Sequence, residues 1–445
     1  MFKFHRDLYT DVRIEDVFET KITFTLGKIS EYKIRSYRAA FVRVFDGERW
    51  FYSSTSQIEQ IQDEIEKLNN MASPNPYIYD NAIVKKFEVN KGEFLTFTDT
   101  DISKVPEENK LDLLKDLFPV IEESKYIKNW TARYIDCRKV KEFYSSKGAN
   151  LKFDIQRCGV AVGISMAEGE KKFQDSFQIG SALFRDIIDK KEKLKKHLSD
   201  CEYFLLNSKP VEKGVYTVVL SPLAAGVFAH ESFGHKSESD FMVGDETMKK
   251  EWALGKTVGS EILTILETGN ELGSGYTPFD DEGTKAKKTY LIKNGVLAGR
   301  LHSGSTASIL EEELTGNARS INFEYEPIVR MTTTYIDSGS ETKEELFGKV
   351  KNGIYINTIK HGSGMSTFTI APSLAYMIRD GKIAEPVTIS VITGNVFKTL
   401  SDIDGVSDKV ELLSFVTGGC GKMEQYPLPV GFGGPYVRVN NINVQ

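Results

Sequence analysis

The chain has 445 residues, of which 40% are hydrophobic and 27% charged, and a formal net charge of -6 at pH 7. This composition is typical of a folded globular protein and excludes a largely disordered chain, and the length predicts two or three domains. The acidic balance argues against a protein that wraps nucleic acid, because such proteins present a basic face.

The N-terminal segment predicts strands followed by one helix. Residues 21–26 and 31–35 alternate between apolar and polar side chains, as half-buried strands do. Apolar runs lie on both sides of Asp46–Gly47, a dipeptide that favours a tight hairpin turn. Residues 54–69 carry apolar side chains at helical spacing. The proline-containing segment 70–81 then predicts a linker, and we place a domain sub-boundary there.

A second block repeats the mixture of helix and strand. Residues 106–124 predict a helix, residues 130–166 alternate like strands, and residues 181–198 predict another helix. The polar segment 207–213 then predicts a linker. This pattern indicates an N-terminal domain of mixed α/β content.

The remainder of the chain is richer in strand and turn signals. Asn294–Gly295 and Asp380–Gly381 each separate two apolar runs and predict hairpins. We therefore expect an α+β protein with an N-terminal domain over residues 1–208 and a β-rich C-terminal catalytic domain over residues 209–445.

Cysteine usage suits a reducing compartment. The cysteines are far apart and form no C-x-x-C pair: Cys137, Cys158, Cys201 and Cys420. The N-terminus shows no signal peptide and no segment resembles a membrane span, so we expect a cytoplasmic protein that contacts no membrane. The basic run 190–197 predicts a solvated helix face.

The strongest chemical signal is a pair of histidines, His230 and His235, with Glu231 directly after the first. The pair follows a strand-like run at residues 216–220 and a helix start at Ser221–Pro222, where serine suits the cap and proline the first turn. Zinc proteases commonly carry histidines four residues apart, which lie about 40° apart around a helix.

The five-residue spacing predicts an irregular turn. On a regular α-helix the two histidines would lie about 140° apart and could not easily share an ion. A single π-bulge would reduce this angle to about 50°. Alternatively, the helix ends at Gly234 and His235 returns from a loop. Both alternatives require a local irregularity between Glu231 and His235.

The residue types suit metal-dependent hydrolysis. Two neutral imidazoles bind an ion such as zinc, and an adjacent glutamate can take a proton from water and pass it to a leaving amine. Such histidines can also be ordinary core or surface residues. Local spacing leaves the third ligand open among a cysteine, another histidine and a carboxylate. Cys420 lies in a glycine-rich segment, whereas His302 and His361 are rivals.

Several ordered motifs resemble the TldD branch of the TldD/PmbA family. The segment 230–241 is similar to its H-E-x-x-G-H-x-x-E-x-D-F motif, and Asp280–Thr284 to its D-D-E-G-T motif. Residues 315–319 and 327–335 resemble its G-N-x-R and P-R-M-T-N-T-Y segments. The C-terminal segment from Thr417 resembles its C-G-K and P-V-G ending. The resemblance spans essentially the whole chain.

The resemblance implies a zinc peptidase. It implies His230, His235 and Cys420 as ligands of one zinc ion, with iron not excluded, and Glu231 as the general base. It further implies hydrolysis of peptides or unfolded polypeptide by a dimer. The dimer would be a homodimer or a heterodimer with a PmbA-type partner that lacks the metal motif. Family members are also described as modulators of DNA gyrase, but nothing in this sequence indicates direct contact with DNA.

Several further residues are candidates for supporting roles. We expect Glu238 or Asp240 to orient a ligand imidazole, the alternative being an exposed acidic loop. His361, in a glycine-rich loop, is a candidate for substrate contact or an ordinary surface residue. Arg330 and Tyr335 are candidate oxyanion donors, although strand packing is the preferred explanation for both. The alternative function is a non-catalytic regulator or scaffold whose metal is structural, with a closed four-ligand shell.

Overall fold

A computed structural model describes residues 2–364 and 366–445 and has an α+β architecture. The N-terminal half is built on a seven-stranded sheet with strand order β3-β2-β1-β5-β6-β4, and β7 also pairs with β6. Its strands are β1 (Tyr9–Thr25), β2 (Lys28–Phe45), β3 (Trp50–Thr55), β4 (Lys91–Phe94), β5 (Ile127–Ser145), β6 (Asn150–Glu168) and β7 (Lys171–Ser181).

The central strands of this sheet are long antiparallel partners. β1 pairs with β2 from Tyr9↔Phe45 to Thr25↔Lys28 and, on its other side, with β5. The turn predicted at Asp46–Gly47 is confirmed, since Phe45 pairs with Trp50 across it. Residues 31–35 and the apolar run that ends at Phe45 were predicted as separate strands, but both belong to the single strand β2.

The N-terminal helices pack beside this sheet: α1 (Ile61–Met71), α2 (Ala82–Lys86), α3 (Glu107–Lys115), α4 (Phe118–Glu122) and α5 (Lys191–Asn207). The single helix predicted at 106–124 is wrong, because Pro119 lacks the N–H that would bond to Lys115 and the chain divides into α3 and α4. The helix predicted from residue 181 is also wrong at its start. Asp189 adopts a left-handed conformation, and α5 begins only afterwards.

The C-terminal half contains two larger sheets. Its strands are β8 (Lys209–Pro210), β9 (Gly214–Leu220), β10 (Ile265–Thr268), β11 (Lys288–Lys293), β12 (Val296–Leu297), β13 (Ala318–Arg319), β14 (Ile328–Val329), β15 (Thr333–Ile336), β16 (Asn352–Ile356), β17 (Ile359–Gly364), β18 (Thr367–Pro372), β19 (Ala375–Arg379), β20 (Lys382–Thr388), β21 (Ile392–Asn395), β22 (Ile403–Val406), β23 (Glu411–Ser414), β24 (Cys420–Lys422), β25 (Gln425–Leu428), β26 (Gly431–Gly434) and β27 (Val437–Val444). Its helices are α6 (Pro222–Ala229), α7 (Glu246–Glu251), α8 (Gly304–Ile309), α9 (Lys343–Gly348) and α10 (Val396–Ser401).

Helix α6 lies where these two sheets meet. The ten-stranded sheet has the order β17-β18-β21-β27-β9-β16-β19-β20-β8, with β22 also paired to β27. The six-stranded sheet has the order β12-β11-β10-β15-β26-β23, and α6 contacts strands of both. The predicted hairpins at Asn294–Gly295 and Asp380–Gly381 are confirmed, and both residues of each turn have positive φ, as a type I′ turn requires.

Apolar packing joins the N-terminal sheet to the C-terminal half. One buried cluster contains Val160 and Val162 of β6 together with Tyr355 and Tyr376 of the ten-stranded sheet. A second cluster surrounds α6 and includes Phe228 and Cys420. The boundary expected between residues 208 and 209 stays a prediction, as does the sub-boundary at 70–81. No helix among the described residues is both long and apolar enough to cross a membrane.

Buried ion pairs form a second junction between the two halves. Asp281 lies 3.4 Å from the Arg13 guanidinium of β1 and is also bonded to Lys141 of β5. The neighbouring Glu282 lies 2.9 Å from Arg43 of β2. The cations hold the pKa of Asp281 well below its usual value, although burial would raise it. The acidic motif at 280–284 therefore anchors the N-terminal sheet.

Replacement of Asp281 is expected to destabilise the protein strongly. Asp281→Ala leaves Arg13 and Lys141 buried with one counter-charge fewer, which should lower the free energy of unfolding by about 3–5 kcal/mol. The matched control is Asp112→Ala, which breaks an exposed 3.6 Å pair with Lys115 and should change stability by less than about 1 kcal/mol. Urea denaturation followed by tryptophan fluorescence measures both, and equal shifts would contradict this account.

Candidate metal centre

The two histidines lie on one turn of π-helix that continues α6. Ser221 caps α6 by accepting a hydrogen bond from the Ala224 N–H, and Pro222 occupies the first turn. The π-helix spans His230–Gly234, and the His235 N–H donates to the His230 carbonyl. This five-residue hydrogen bond places the two imidazoles side by side, with ring centroids 5.1 Å apart. The predicted irregularity is confirmed, and it is the π-bulge rather than a return from a loop.

Close packing surrounds the π turn on two sides. A Cβ on Gly234 would lie 2.2 Å from the Met331 sulfur, so a larger residue would displace the turn or that side chain. On the other side, a Cβ on Gly364 of β17 would lie 3.0 Å from the Glu231 carbonyl. Gly234 therefore needs to be glycine for close approach, whereas a side chain at Gly364 would press on the backbone of the turn, which lies between the edge strand β17 and the segment before β15.

A hairpin brings Cys420 to the two histidines. Cys420 begins β24, which pairs with β25, and its sulfur lies 3.5 Å from His235 Nε2. One donor atom from each of His230, His235 and Cys420 lies within 4.8 Å of the others. The buried Arg330 fixes this hairpin by donating to the Cys420 carbonyl at 2.8 Å and to the Gln425 carbonyl at 3.2 Å. Arg330 thus bonds to the backbone that carries the cysteine.

The donor set fits a divalent metal such as zinc. His235 Nδ1 lies 3.1 Å from a Glu238 oxygen, so the carboxylate accepts the Nδ1 proton and Nε2 is left facing Cys420. His230 is 5% exposed, and its Nδ1 has no hydrogen-bond partner among the residues that the structure describes. A buried nitrogen without a partner is unfavourable unless another group contacts the ring. Two imidazoles and one sulfur are ligands that zinc accepts.

The electrostatics of the three groups favour a cation between them. Burial raises the pKa of the Cys420 thiol, but the charge of His230 and hydrogen bonds from both imidazoles hold it well below its usual value. Burial would lower the pKa of His235, yet hydrogen bonds to Cys420 and Glu238 raise it to about 10. The surroundings therefore favour the thiolate form of Cys420 and the protonated forms of His230 and His235. A divalent cation bound by these residues would replace those protons.

Glu238 and Asp240 both contact Lys422, but only Glu238 also contacts an imidazole. Glu238 is fully buried and contacts both His235 and Lys422, whose ammonium lies 3.1 Å from the carboxylate. Burial would raise the pKa of Glu238, but the bond from His235 and the charge of Lys422 lower it below its usual value. Asp240 accepts a 2.7 Å hydrogen bond from Lys422 and does not contact His235 among the described hydrogen bonds. Glu238 is therefore the carboxylate that touches a candidate ligand.

A cavity of about 500 Å³ opens beside the three donors. His230, Glu231 and Cys420 line it, together with His361 on β17. Glu231 is half-buried, whereas His361 is exposed at the rim. His302 lies elsewhere, with one ring nitrogen 3.2 Å from Thr306 and the other 3.0 Å from Glu312. His302 is thus engaged at both nitrogens.

Two residues that support the centre were not predicted from the sequence. Lys422 bonds to Glu238, Asp240 and the Val329 carbonyl, and its position two residues after Cys420 was the available signal. The fully buried Glu267 accepts a 2.6 Å hydrogen bond from the Thr332 hydroxyl and another from the Thr334 hydroxyl. Nothing local to Glu267 in the sequence marks it as the hub of the segment before β15.

Comparisons with known proteins agree with these motifs. Two family profiles match, the PmbA/TldA metallopeptidase C-terminal domain at residues 213–445 and the PmbA/TldA metallopeptidase domain 1 at residues 10–72. A metalloprotease from Methanocaldococcus jannaschii is 31% identical, with 97% of this chain and 95% of the relative covered. A protein named zinc metalloprotease TldD homolog, from Saccharolobus solfataricus, is 28% identical over 98% of this chain and 96% of its own.

Solved structures share the fold at lower identity. A Thermotoga maritima protein described as a proposed modulator of a DNA gyrase has a TM-score of 0.79 and 19% identity, with 98% of this chain and 96% of that chain covered. TldE from Thermococcus kodakarensis has a TM-score of 0.78 and 16% identity, with the same coverage. At this level of identity the likeness concerns the fold alone.

Removal of Glu238 is expected to weaken metal binding without removing a candidate ligand. Glu238→Ala frees the His235 ring to rotate and to change tautomer, which should lower zinc affinity about 10–100-fold. The control is Asp240→Ala, because Asp240 contacts Lys422 and not an imidazole. Competition with a chromophoric chelator measures both affinities. An equal loss in the two variants would refute the role given to Glu238.

Proposed function

The chain belongs to the TldD/PmbA metallopeptidase family, and from this premise we propose that it is a zinc-dependent peptidase acting on peptides or unfolded polypeptides. One observation carries the proposal. His230, His235 and Cys420 converge at the wall of a cavity that Glu231 also lines. The arrangement supplies candidate ligands, a candidate base and room for a substrate in one place.

The proposed metal is one zinc ion per chain at this centre, held by His230, His235 and Cys420. A thiolate with two imidazoles suits zinc better than magnesium or calcium, which prefer oxygen ligands, whereas iron is distinguished less sharply. When bound, the ion would act as a Lewis acid toward water and a substrate carbonyl. His230 and Cys420 both line the cavity, which supports an accessible coordination position rather than a closed structural site.

Glu231 is proposed as the general base. Its side chain lines the cavity directly after His230 in the chain, so it lies beside the space where the scissile bond would sit. Its carboxylate would accept a proton from the attacking water, hold it, and deliver it to the leaving amine nitrogen as the C–N bond breaks. Water is thereby divided between the two products, and Glu231 returns to its starting state.

The edge strand β17 supports an extended substrate. β17 is the terminal strand of the ten-stranded sheet, and among residues 2–364 and 366–445 it pairs with β18 alone. Ile359, Lys360, His361 and Gly362 of this strand line the cavity. A peptide that added to the free edge of β17 would run past Glu231 and place side chains near His361. Backbone pairing of this kind favours unfolded chains over folded ones.

A dimer is part of the proposal. Leu26, Ile29, Tyr32 and Ile34 are exposed apolar side chains at the hairpin end of β1 and β2. Covering them would remove apolar area from water and so favour association. The partner is either a second copy of this chain or a family member that lacks the histidine motif.

Replacement of Glu231 is expected to slow catalysis while leaving metal binding unchanged. Glu231→Gln keeps the size of the side chain and all three candidate ligands, so its zinc content should match that of the parent. Its rate of hydrolysis of an unfolded polypeptide should fall by about 10²–10⁴ or more. Glu246→Gln, at an exposed glutamate of α7, is the control and should retain the parent rate.

The two measurements are zinc content by elemental analysis and cleavage of a denatured protein followed by gel electrophoresis. Cleavage by Glu231→Gln at the parent rate would refute Glu231 as the base. A zinc-loaded parent that cuts no unfolded chain, with or without a family partner, would favour the non-catalytic alternative.

A further inference from the structure

A second cluster of metal-binding residue types lies in the N-terminal half. Asp175 of β7 faces His197 and Cys201 of α5, which stand four residues apart and therefore on one side of the helix. Cys201 is fully buried, and the side chains of Asp175 and His197 are 6% and 14% exposed. The basic segment of α5, predicted as a solvated face, thus ends in a histidine turned toward the sheet.

One side-chain atom from each residue forms a corner of a nearly equilateral triangle. Asp175 Oδ2 lies 3.6 Å from His197 Nε2 and 3.8 Å from Cys201 Sγ, and His197 Nε2 lies 3.6 Å from Cys201 Sγ. The separation of the imidazole and the carboxylate exceeds that of an N–H···O hydrogen bond. An ion at the centre would lie about 2.1 Å from each vertex, close to the bond lengths of zinc with nitrogen, oxygen and sulfur.

The surroundings of the triangle favour a cation. Burial raises the pKa of Asp175 and of Cys201 and lowers that of His197, so without a cation the three groups favour their neutral forms. Asp200 and Glu202 add negative charge near Cys201 and raise its pKa further. The Ser373 hydroxyl is 4% exposed and lies beside Asp175, where its hydrogen bond lowers the pKa of that carboxyl. It offers a fourth polar group.

The same residues do not suit nucleophilic catalysis. A reactive cysteine needs a lowered pKa and access to substrate, and Cys201 is fully buried with a raised pKa. A divalent cation would instead draw the thiol into its thiolate form.

We propose that Asp175, His197 and Cys201 form a second site for a zinc-class divalent cation, separate from the centre at His230, His235 and Cys420. The bound ion would tie β7 to α5. Gln178 of β7 accepts hydrogen bonds from the Val416 and Thr417 N–H groups at 3.1 and 3.2 Å, in the segment that leads to Cys420. The second ion would therefore stiffen the strand that holds this segment and contribute a positioning role, not a catalytic one.

Cobalt binding to the full-length chain tests this proposal independently of peptidase activity. In a Cys420→Ala background, the protein should bind one equivalent of Co²⁺ with thiolate-to-cobalt charge-transfer absorption, because Cys201 remains. Adding Cys201→Ala should abolish that absorption. Adding Cys158→Ala, at a buried cysteine of β6 outside the cluster, should leave it unchanged.

A second variant keeps the test decisive if Cys201→Ala does not fold. His197→Gln in the Cys420→Ala background retains the thiol and should weaken Co²⁺ binding by more than about tenfold. The proposal is overturned if Cys420→Ala shows no thiolate absorption with Co²⁺, or if that absorption survives Cys201→Ala or His197→Gln unchanged. Loss of peptidase activity in any variant has no bearing on this outcome.

Discussion

The candidate centre depends on one backbone hydrogen bond, from the His235 N–H to the His230 carbonyl. A regular helix would bond His235 to the carbonyl four residues earlier and turn the two imidazoles away from each other. The π turn instead leaves the rings 5.1 Å apart. The glycine packed on Met331 and the edge strand β17 hold the turn in this form, and Glu231 is consequently directed along the cavity wall.

The third donor depends on buried charge rather than on local geometry. Arg330 binds the carbonyl of Cys420, and Lys422 joins the same hairpin to Glu238, which in turn bonds to His235. Cys420 is thus linked to His235 in two ways. Its sulfur faces the imidazole directly, and its hairpin is joined to the same ring through Lys422 and the Glu238 carboxylate. Because Lys422 and Glu238 pair with each other, neither is an isolated buried ion, which would be costly. Loss of a single member would leave its partners uncompensated.

Sequence reasoning succeeded where the signal was local. The spacing of His230 and His235 required an irregular turn, and the Asn294–Gly295 and Asp380–Gly381 dipeptides marked real hairpins. It failed where distant packing or backbone conformation decided the outcome, as at Asp189, whose left-handed conformation lies just before α5 and delays the start of that helix beyond what the helical pattern suggests. The place of Cys420 came from family resemblance, since no spacing rule connects residues 185 positions apart.

The cluster of Asp175, His197 and Cys201 also depends on distant packing that the sequence does not show. His197 and Cys201 have the four-residue spacing that suits a metal on a helix, but the surrounding lysines make the segment resemble a solvated face. Only the pairing of β7 with β6 and the packing of α5 bring Asp175 to them. A long-range sheet register therefore determines a site that neither segment indicates alone.

Anomalous diffraction from zinc-loaded crystals, collected on both sides of the zinc absorption edge, tests the central claim most directly. We expect a peak about 2.0–2.3 Å from a nitrogen of His230, a nitrogen of His235 and the sulfur of Cys420 together. A zinc-loaded crystal with no peak that contacts both imidazoles and the sulfur of Cys420 would contradict the shared centre.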